Sequence, residues 1–282
     1  MSSVEGMLGV FDVVPAGPDR FVGVSDGDVR QVVDGTQLLA QAIVAAAKRF
    51  PTKSVRSAYA VFTRAAGVAE PLDFDIDVVH EGRSVATASV AVSQRGRRCA
   101  IVTVLADTPS TDVISHHVSR PEVAGPDAAI PSDMPMVGRQ LRLVDVADVN
   151  SPDEVGPPEL YAWLHYDPIP ARDDLAKALI AHFTGHLSIS TTMRAHPGIG
   201  TSQSHHTVST AVMTVSVSFH EPVSWDGWIL YSHESTQVGG GMSYVRGYVH
   251  TEAGELIASF AQEGLLRPLR PDDSLIQDSS RL

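Results

Sequence analysis

Residues 254–268 read GELIASFAQEGLLRP, an apolar strand pattern with one uncharged amide, Gln262, where a core side chain is expected. An amide buried without partners costs about 1–3 kcal/mol. Gln262 therefore has buried partners or holds a ligand. An amide donates and accepts hydrogen bonds but does not take a proton from water near neutral pH. Chemistry at Gln262 is thus orientation, and a proton acceptor must come from elsewhere.

The other residues able to do chemistry narrow the classes. Two adjacent histidine pairs, His116 with His117 and His205 with His206, would point to opposite faces of a strand. No Cys or carboxylate spacing accompanies them, so no metal site is expected. The run VGGGM, residues 238–242, lacks the ending of a phosphate loop and lies between antiparallel strands, where it reads as a hairpin connection. Cys99, the single cysteine, sits in the apolar stretch RRCAIVTVL and reads as a buried strand residue with no disulfide. Trp163, Trp225 and Trp228 read as core or subunit-interface aromatics.

Two similar sets of elements must position these residues. VVDGTQLLAQAIVAAAKRF, residues 32–50, predicts a long helix with Asp34 at its N-cap and Pro51 at its end. Apolar and small residues run nearly all round it, as in a helix wrapped by other structure. Four strands follow, starting at Val55, Leu72, Ser84 and Arg98, with glycine turns between. Asp73, Asp75 and Asp77 alternate with Leu72, Phe74 and Ile76, the mark of a half-exposed antiparallel sheet.

Residues 109 to about 160 are rich in Pro, Ser, Asp and Gly and predict an irregular crossing with one short strand signal, RQLRLVDVAD. Beyond it, LYAWLHYD is followed by ARDDLAKALIAHFTGHLSISTTM, a helix that Asp173 and Asp174 can cap. Four more strands follow: HTVSTAVMTVSVSFHEPV, GWILYSHES, SYVRGYVH and ELIASFAQEGLLRPL. Helix then four strands has occurred twice. Matching Gly96 to Gly254 and Phe62 to Phe219 sets Gln262 opposite Val104, a polar residue where the other half has an apolar one. A nearly all-apolar helix followed by a long-stranded meander suggests a sheet curled around a helix, the hotdog fold, in each half; periodicity alone gives α+β.

At 282 residues the chain suits two domains of about 140, and 43% hydrophobic against 19% charged residues supplies a sizeable core. The net charge of −12 is spread along the chain, with no Lys/Arg run to follow a phosphate backbone, so nucleic acid is not an expected partner. The start has an acidic residue where a signal peptide is basic, and no segment approaches the ~18 apolar residues of a membrane span. A cytoplasmic protein is expected.

From about Val10 to Leu269 the chain resembles the acyl-CoA thioesterase II (TesB-like) double-hotdog family. WILYSHEST, YVRGYVHTEAGELIAS and AQEGLLR carry the likeness in the second half. TQLLAQAIVAA is similar to the family's helix motif, keeping Gln37 and Gln41 but with Thr36 and Ala40 in place of glycines. The resemblance implies hydrolysis of a fatty acyl-CoA without cofactor or metal, by a water held between an Asp, a Thr or Ser, and a Gln. It also implies self-association into a homo-oligomer of double-hotdog units.

Residue by residue, the glutamine carries over to Gln262 and the hydroxyl to Thr236, with Ser235 as the near alternative. The family's acidic positions fall at about Thr214 and near Gly185, neither a carboxylate. His186, or His182 one turn earlier, is the substitute base, since imidazole works near pH 7. The reading is two hotdog domains, 1–115 and 135–282, joined by residues 116–134. The function expected is hydrolysis of acyl-CoA. The alternative is a relative that binds acyl-CoA or acyl-carrier thioesters without hydrolysing them. A hotdog hydratase or dehydratase is disfavoured, since no plausible Asp–His dyad stands at the helix of either half.

Overall fold

The computed structural model describes residues 3–25, 31–132, 134–220 and 223–269. Helix α1 (Val4–Phe11) is capped by Ser3, whose Oγ accepts from the Gly6 N–H, and buries Val4, Met7, Val10 and Phe11. Strands β1 (Val14–Gly17) and β2 (Arg20–Gly23) form a hairpin. Neither α1 nor this hairpin is signalled by the sequence, because α1 is short and carries Gly6 and Gly9; docking rather than propensity holds it.

Helix α2 (Gly35–Arg49) starts at the Asp34 cap as expected, and every residue from Thr36 to Ala46 is buried. Strands β3 (Ser54–Phe62), β4 (Leu72–Glu81), β5 (Val85–Gln94) and β6 (Arg97–Asp107) follow. The crossing carries β7 (Ile130–Pro131) and β8 (Arg139–Leu143) and then enters β9 (Glu159–Tyr166). It lies over the outer face of the second half, where the Val118 carbonyl meets His250 Nε2 at 3.1 Å and the Ala124 carbonyl accepts from Trp163 Nε1 at 2.8 Å.

The second expected helix is two. Helix α3 (Asp173–Thr184) ends at Gly185, Leu187 adopts φ 66°, and α4 (Ser188–Met193) sets off anew. Arg172, not Asp173 or Asp174, stands at the N-cap of α3, and the two aspartates occupy its first turn, where they face the positive end of the helix dipole. Strands β10 (Val208–Phe219), β11 (Trp228–Gly239), β12 (Met242–Thr251) and β13 (Leu256–Pro268) complete the chain. The part of the first of these expected to run through Glu221 and Pro222 falls outside the described residues. Gly240 and Gly241, at φ 62° and 78°, make the tight β11–β12 turn, a conformation glycine adopts without strain.

All thirteen strands form one sheet, in the order β1-β2-β4-β5-β6-β3-β10-β13-β12-β11-β9-β8-β7. The halves meet where β3 pairs antiparallel with β10, Tyr59 opposite Ser216. Helices α2 and α3 lie antiparallel within it. Gly185 at the end of α3 touches Thr36 at the start of α2, while Lys48 near the end of α2 and Arg172 before α3 share Asp12. Side chains of both helices and of both inner sheet faces merge into one core. The result is the α+β double hotdog. No helix among the described residues is long and apolar enough to cross a membrane.

Candidate active site

Gln262 lies on the inner face of β13, only 2% exposed, and its Nε2 donates to the Thr184 carbonyl oxygen at 2.8 Å. Thr184 ends α3, so its carbonyl has lost its helical partner, and the amide supplies one. The carbonyl can only accept, which leaves Gln262 Oε1 facing away; it accepts no hydrogen bond among the described residues. The unusual amide thus has one structural partner and one spare acceptor.

The register places Ser235, Val245, Gln262 and Val215 in a row across β11, β12, β13 and β10. Ser235 is half-buried and donates to Thr192 Oγ1 on α4 at 3.2 Å. Thr236 falls at the bulge between Ser235 and Gln237 and is exposed. Of the two candidate hydroxyls, Ser235 therefore shares a row with Gln262. Thr214 lies beside a bulge in β10 and donates to Glu263 Oε2 at 3.0 Å on the exposed side, away from this row.

His186 follows the α3 break. Its Nδ1 lies 3.2 Å from the His182 carbonyl, which can only accept, so in the neutral ring Nδ1 carries the proton and Nε2 keeps a lone pair. The ring stacks on Phe183 at 5.0 Å and 2°. The two antiparallel helices bring this end of α3 to the N-cap of α2, where Asp34 Oδ1 accepts from the Thr36 N–H at 2.7 Å and from Thr36 Oγ1 at 2.6 Å. Asp34 Oδ2 takes no partner among the described residues.

The charges of this cluster are coupled. Burial acts to raise Asp34, but His186, His182 and the Thr36 hydrogen bonds outweigh it and hold the carboxyl below the usual range. Asp34 nevertheless keeps an exposed surface, so it lies in a recess open to solvent. Burial lowers His186 and Asp34 pulls the other way. His182, 3% exposed against Phe11 at 5.3 Å, is pushed down to about 3 by burial first and His186 second. A carboxylate from the first half and an imidazole from the second thus interact electrostatically near the end of α3, whose Thr184 carbonyl is the partner of Gln262. No hydrogen bond or ion pair joins Asp34 to either histidine among the described residues, so the interaction is one of charge at a distance.

The pseudo-two-fold axis at Tyr59 and Ser216 maps this site onto a second place at the other ends of the same helices. There Val104 pairs with Ala58 and Ala88 as Gln262 pairs with Val215 and Val245. By the same registers Val78 stands for Ser235 and Ile76 for His233, and Arg172 stands for Asp34 as N-cap. Each of these four mates is apolar or of opposite charge, and Arg172 is tied to Asp12 and Asp174. One of two symmetry-related places is equipped for chemistry.

Asp34 was read in the sequence only as a cap, and a capping aspartate gives no sign that it also faces a histidine 152 positions later. The spacing Gly-x-Ser-x-Gly, the mark of one class of serine nucleophile, occurs at Gly23 to Gly27. Ser25 follows a short strand of an antiparallel sheet, its Oγ accepts from Gln37 Nε2 at 3.2 Å, and no histidine hydrogen-bonds it among the described residues, as a serine nucleophile would require. Among the described residues no three His, Cys, Asp or Glu side chains are grouped to hold a metal ion.

Residues 117–266 match the family described as acyl-CoA thioesterase C-terminal domain, and residues 26–107 match acyl-CoA thioesterase N-terminal domain. The chain belongs to the acyl-CoA thioesterase family. Over 257 residues it is 27% identical to acyl-CoA thioesterase 2 of Haemophilus influenzae, covering 84% of this chain and 88% of that one. In fold it is similar to the tesB protein of Mycobacterium avium subs paratuberculosis, at TM-score 0.81 and 20% identity over 94% of this chain and 100% of the other. An acyl-CoA thioesterase II of Mycobacterium marinum matches at TM-score 0.77 and 22% identity, over 93% and 97%.

Proposed function

We propose that the chain hydrolyses a fatty acyl-CoA thioester to the free acid and CoA, at the recess where the end of α3 meets the start of α2. What supports this reading is that the end of α3, which carries His186 and the Thr184 partner of Gln262, packs on the start of α2, where Asp34 interacts electrostatically with His186. Gln262 Oε1 accepts from a water, and His186 Nε2 takes its proton as the oxygen attacks the thioester carbonyl. Asp34 stabilises the imidazolium that forms. The Gly35 N–H, at the positive end of α2, meets the oxyanion. Ser235, about two strand spacings or ~10 Å across the row, lines the opposite wall and positions the thioester. CoA then leaves as a thiolate or takes the proton from His186, so no metal or cofactor is required. The same reading divides the chain into units 1–115 and 135–282 and includes assembly of several copies.

The test is release of free CoA thiol from a chain-length series of acyl-CoAs by the parent, Gln262→Ala and His186→Ala. Turnover by the parent with a loss of ~100-fold or more in each variant is the expected result. Measurable binding of acyl-CoA without turnover at any length would replace hydrolysis by a binding role.

A further inference from the structure

Residues 63–68 tie the start of α2 to the turn between β5 and β6. On one side the Val33 N–H, one residue before the Asp34 cap, donates to the Ala66 carbonyl at 2.9 Å, and a Cβ on Gly35 would lie 3.3 Å from the Phe62 ring. On the other side the Thr63 and Arg64 N–H groups donate to the Cys99 carbonyl at 2.8 and 3.2 Å, and Thr63 Oγ1 donates to the Arg98 carbonyl at 3.2 Å. The loop and the β5–β6 turn thus form the rim of the recess at Asp34.

This rim is basic in an acidic chain. Residues 63–71 and 93–99 hold Arg64, Arg95, Arg97 and Arg98 against Glu70 alone, a net +3 where the whole chain is −12. Arg95 is paired with Glu70, but Arg64, Arg97 and Arg98 are exposed and have no carboxylate at ion-pair distance among the described residues. Acidic residues outnumber basic ones 33 to 21, so carboxylates are not scarce and these three guanidinium groups are left open. Burial raises the Cys99 thiol while Arg64 and Arg97 both pull it down, so their charges stand together over one residue. The fold does not demand this sign. Matching Gly96 to Gly254 makes the β12–β13 turn the two-fold mate, and there Glu252 and Glu255 flank the glycine. The basic rim borders the equipped place and the acidic one its unequipped mate.

We propose that this rim receives the 3′-phosphate and diphosphate of coenzyme A, and that Arg64, Arg97 and Arg98 thereby select an acyl group carried on CoA over one carried on pantetheine alone or on an acidic carrier protein. The proposal rests on the thioesterase reading and names its carrier. CoA bears its sulfur at the end of a long uncharged arm with the phosphates at the other end. With the thioester at the recess, the anionic end falls on the rim. Unpaired guanidinium groups meet phosphate oxygens in bidentate fashion without giving up a carboxylate. A small polyanion is governed by the patch within a Debye length of about 8 Å, whereas an acidic protein also faces the negative charge of the rest of the surface.

The experiment measures binding of CoA, dephospho-CoA and pantetheine by calorimetry, and turnover of octanoyl-CoA and S-octanoyl-pantetheine, for the parent, Arg64→Gln, Arg97→Gln, Arg98→Gln and Arg95→Gln. The parent is expected to bind CoA most tightly, and each of the first three variants to lose roughly three- to tenfold in CoA affinity and in KM for octanoyl-CoA, with kcat unchanged. S-octanoyl-pantetheine should be used equally by all, and Arg95→Gln should match the parent. Added salt should weaken CoA binding by the parent more than by the variants. Equal affinity of the parent for CoA and pantetheine, equal losses on both substrates, or an equal loss in Arg95→Gln would overturn the rim. Loss of turnover on an octanoyl carrier protein, with octanoyl-CoA unaffected, would give the patch to a protein partner and also overturn it. Arginine-dependent CoA binding without turnover of either substrate would sink the hydrolase reading alone, and an absence of both binding and turnover would remove both.

Discussion

Gly185 stands against Thr36 so closely that a Cβ on Gly185 would lie 2.3 Å from Thr36 Cγ2 and 2.8 Å from its Oγ1. This is the point where the end of α3 meets the start of α2, and it sets how near His186 comes to Asp34. Gly185 has an ordinary helical φ of −73°, so the demand for glycine here is steric. Gly185→Ala is expected to cost about 1–3 kcal/mol, and to lower turnover further by pushing the helix ends apart. The double variant Gly185→Ala with Thr36→Ser removes the nearest methyl and should recover part of both. Thermal melting and thiol release measure the two effects; an alanine variant as stable as the parent would refute the contact.

Asp34 both caps α2 and, on the proposal, supports the base, and two substitutions separate these roles. Asparagine caps a helix about as well as aspartate, so Asp34→Asn should leave stability nearly unchanged while lowering kcat by ~100-fold or more. Asp34→Ala should lose about 1 kcal/mol in addition. Full activity in Asp34→Asn would remove the carboxylate from the mechanism.

Ser235 and Thr236 are adjacent, yet the bulge sends one inward and the other to solvent. Ser235→Ala is expected to raise KM or lower kcat several-fold, with Thr236→Ala close to the parent. The opposite order in steady-state kinetics would assign the hydroxyl role to Thr236.

Acid should unfold this protein through its buried histidines. His182 and His233 are held neutral down to about 3 and about 4, respectively, by burial. An unfolded imidazole protonates near 6.5, so below about pH 6.5 the unfolded chain binds protons that the native one does not. Stability is full above that pH and falls as pH drops through the window toward 4, by about 1.4 kcal/mol per pH unit for each histidine. The lowered Asp34 acts in the same direction, at still lower pH. Urea unfolding at pH 7.0 and 5.0 should show His233→Phe losing less on acidification than the parent, and equal losses would contradict it.

Much of the fold is legible in residue order because its signals are local. The Asp34 cap and the all-round small and apolar face predict α2, and two-residue alternation predicts the strands of both halves. The internal repeat also locates Gln262 against Val104, and the ladder registers agree with that overlay. The break at Gly185–Leu187 was not legible, since an apolar run such as HFTGHLSI reads as one helix until packing of α4 on β11 forces the turn. Bulges were also hidden, because one extra residue leaves a polar loop-like run unchanged while reversing which side chains face inward.

By itself, then, the sequence determined two helix-and-meander halves, the apolar interior that welds them, and a lone amide in the second half, all matters of periodicity and composition within a few tens of residues. Tertiary structure decided that Gln262 answers the open carbonyl of Thr184, that Ser235 and not Thr236 faces its row, and that the charge of Asp34 acts on His186. The reason is physical: those relations join residues 27 to 152 positions apart, and only antiparallel packing of two helices within one continuous sheet brings them within reach.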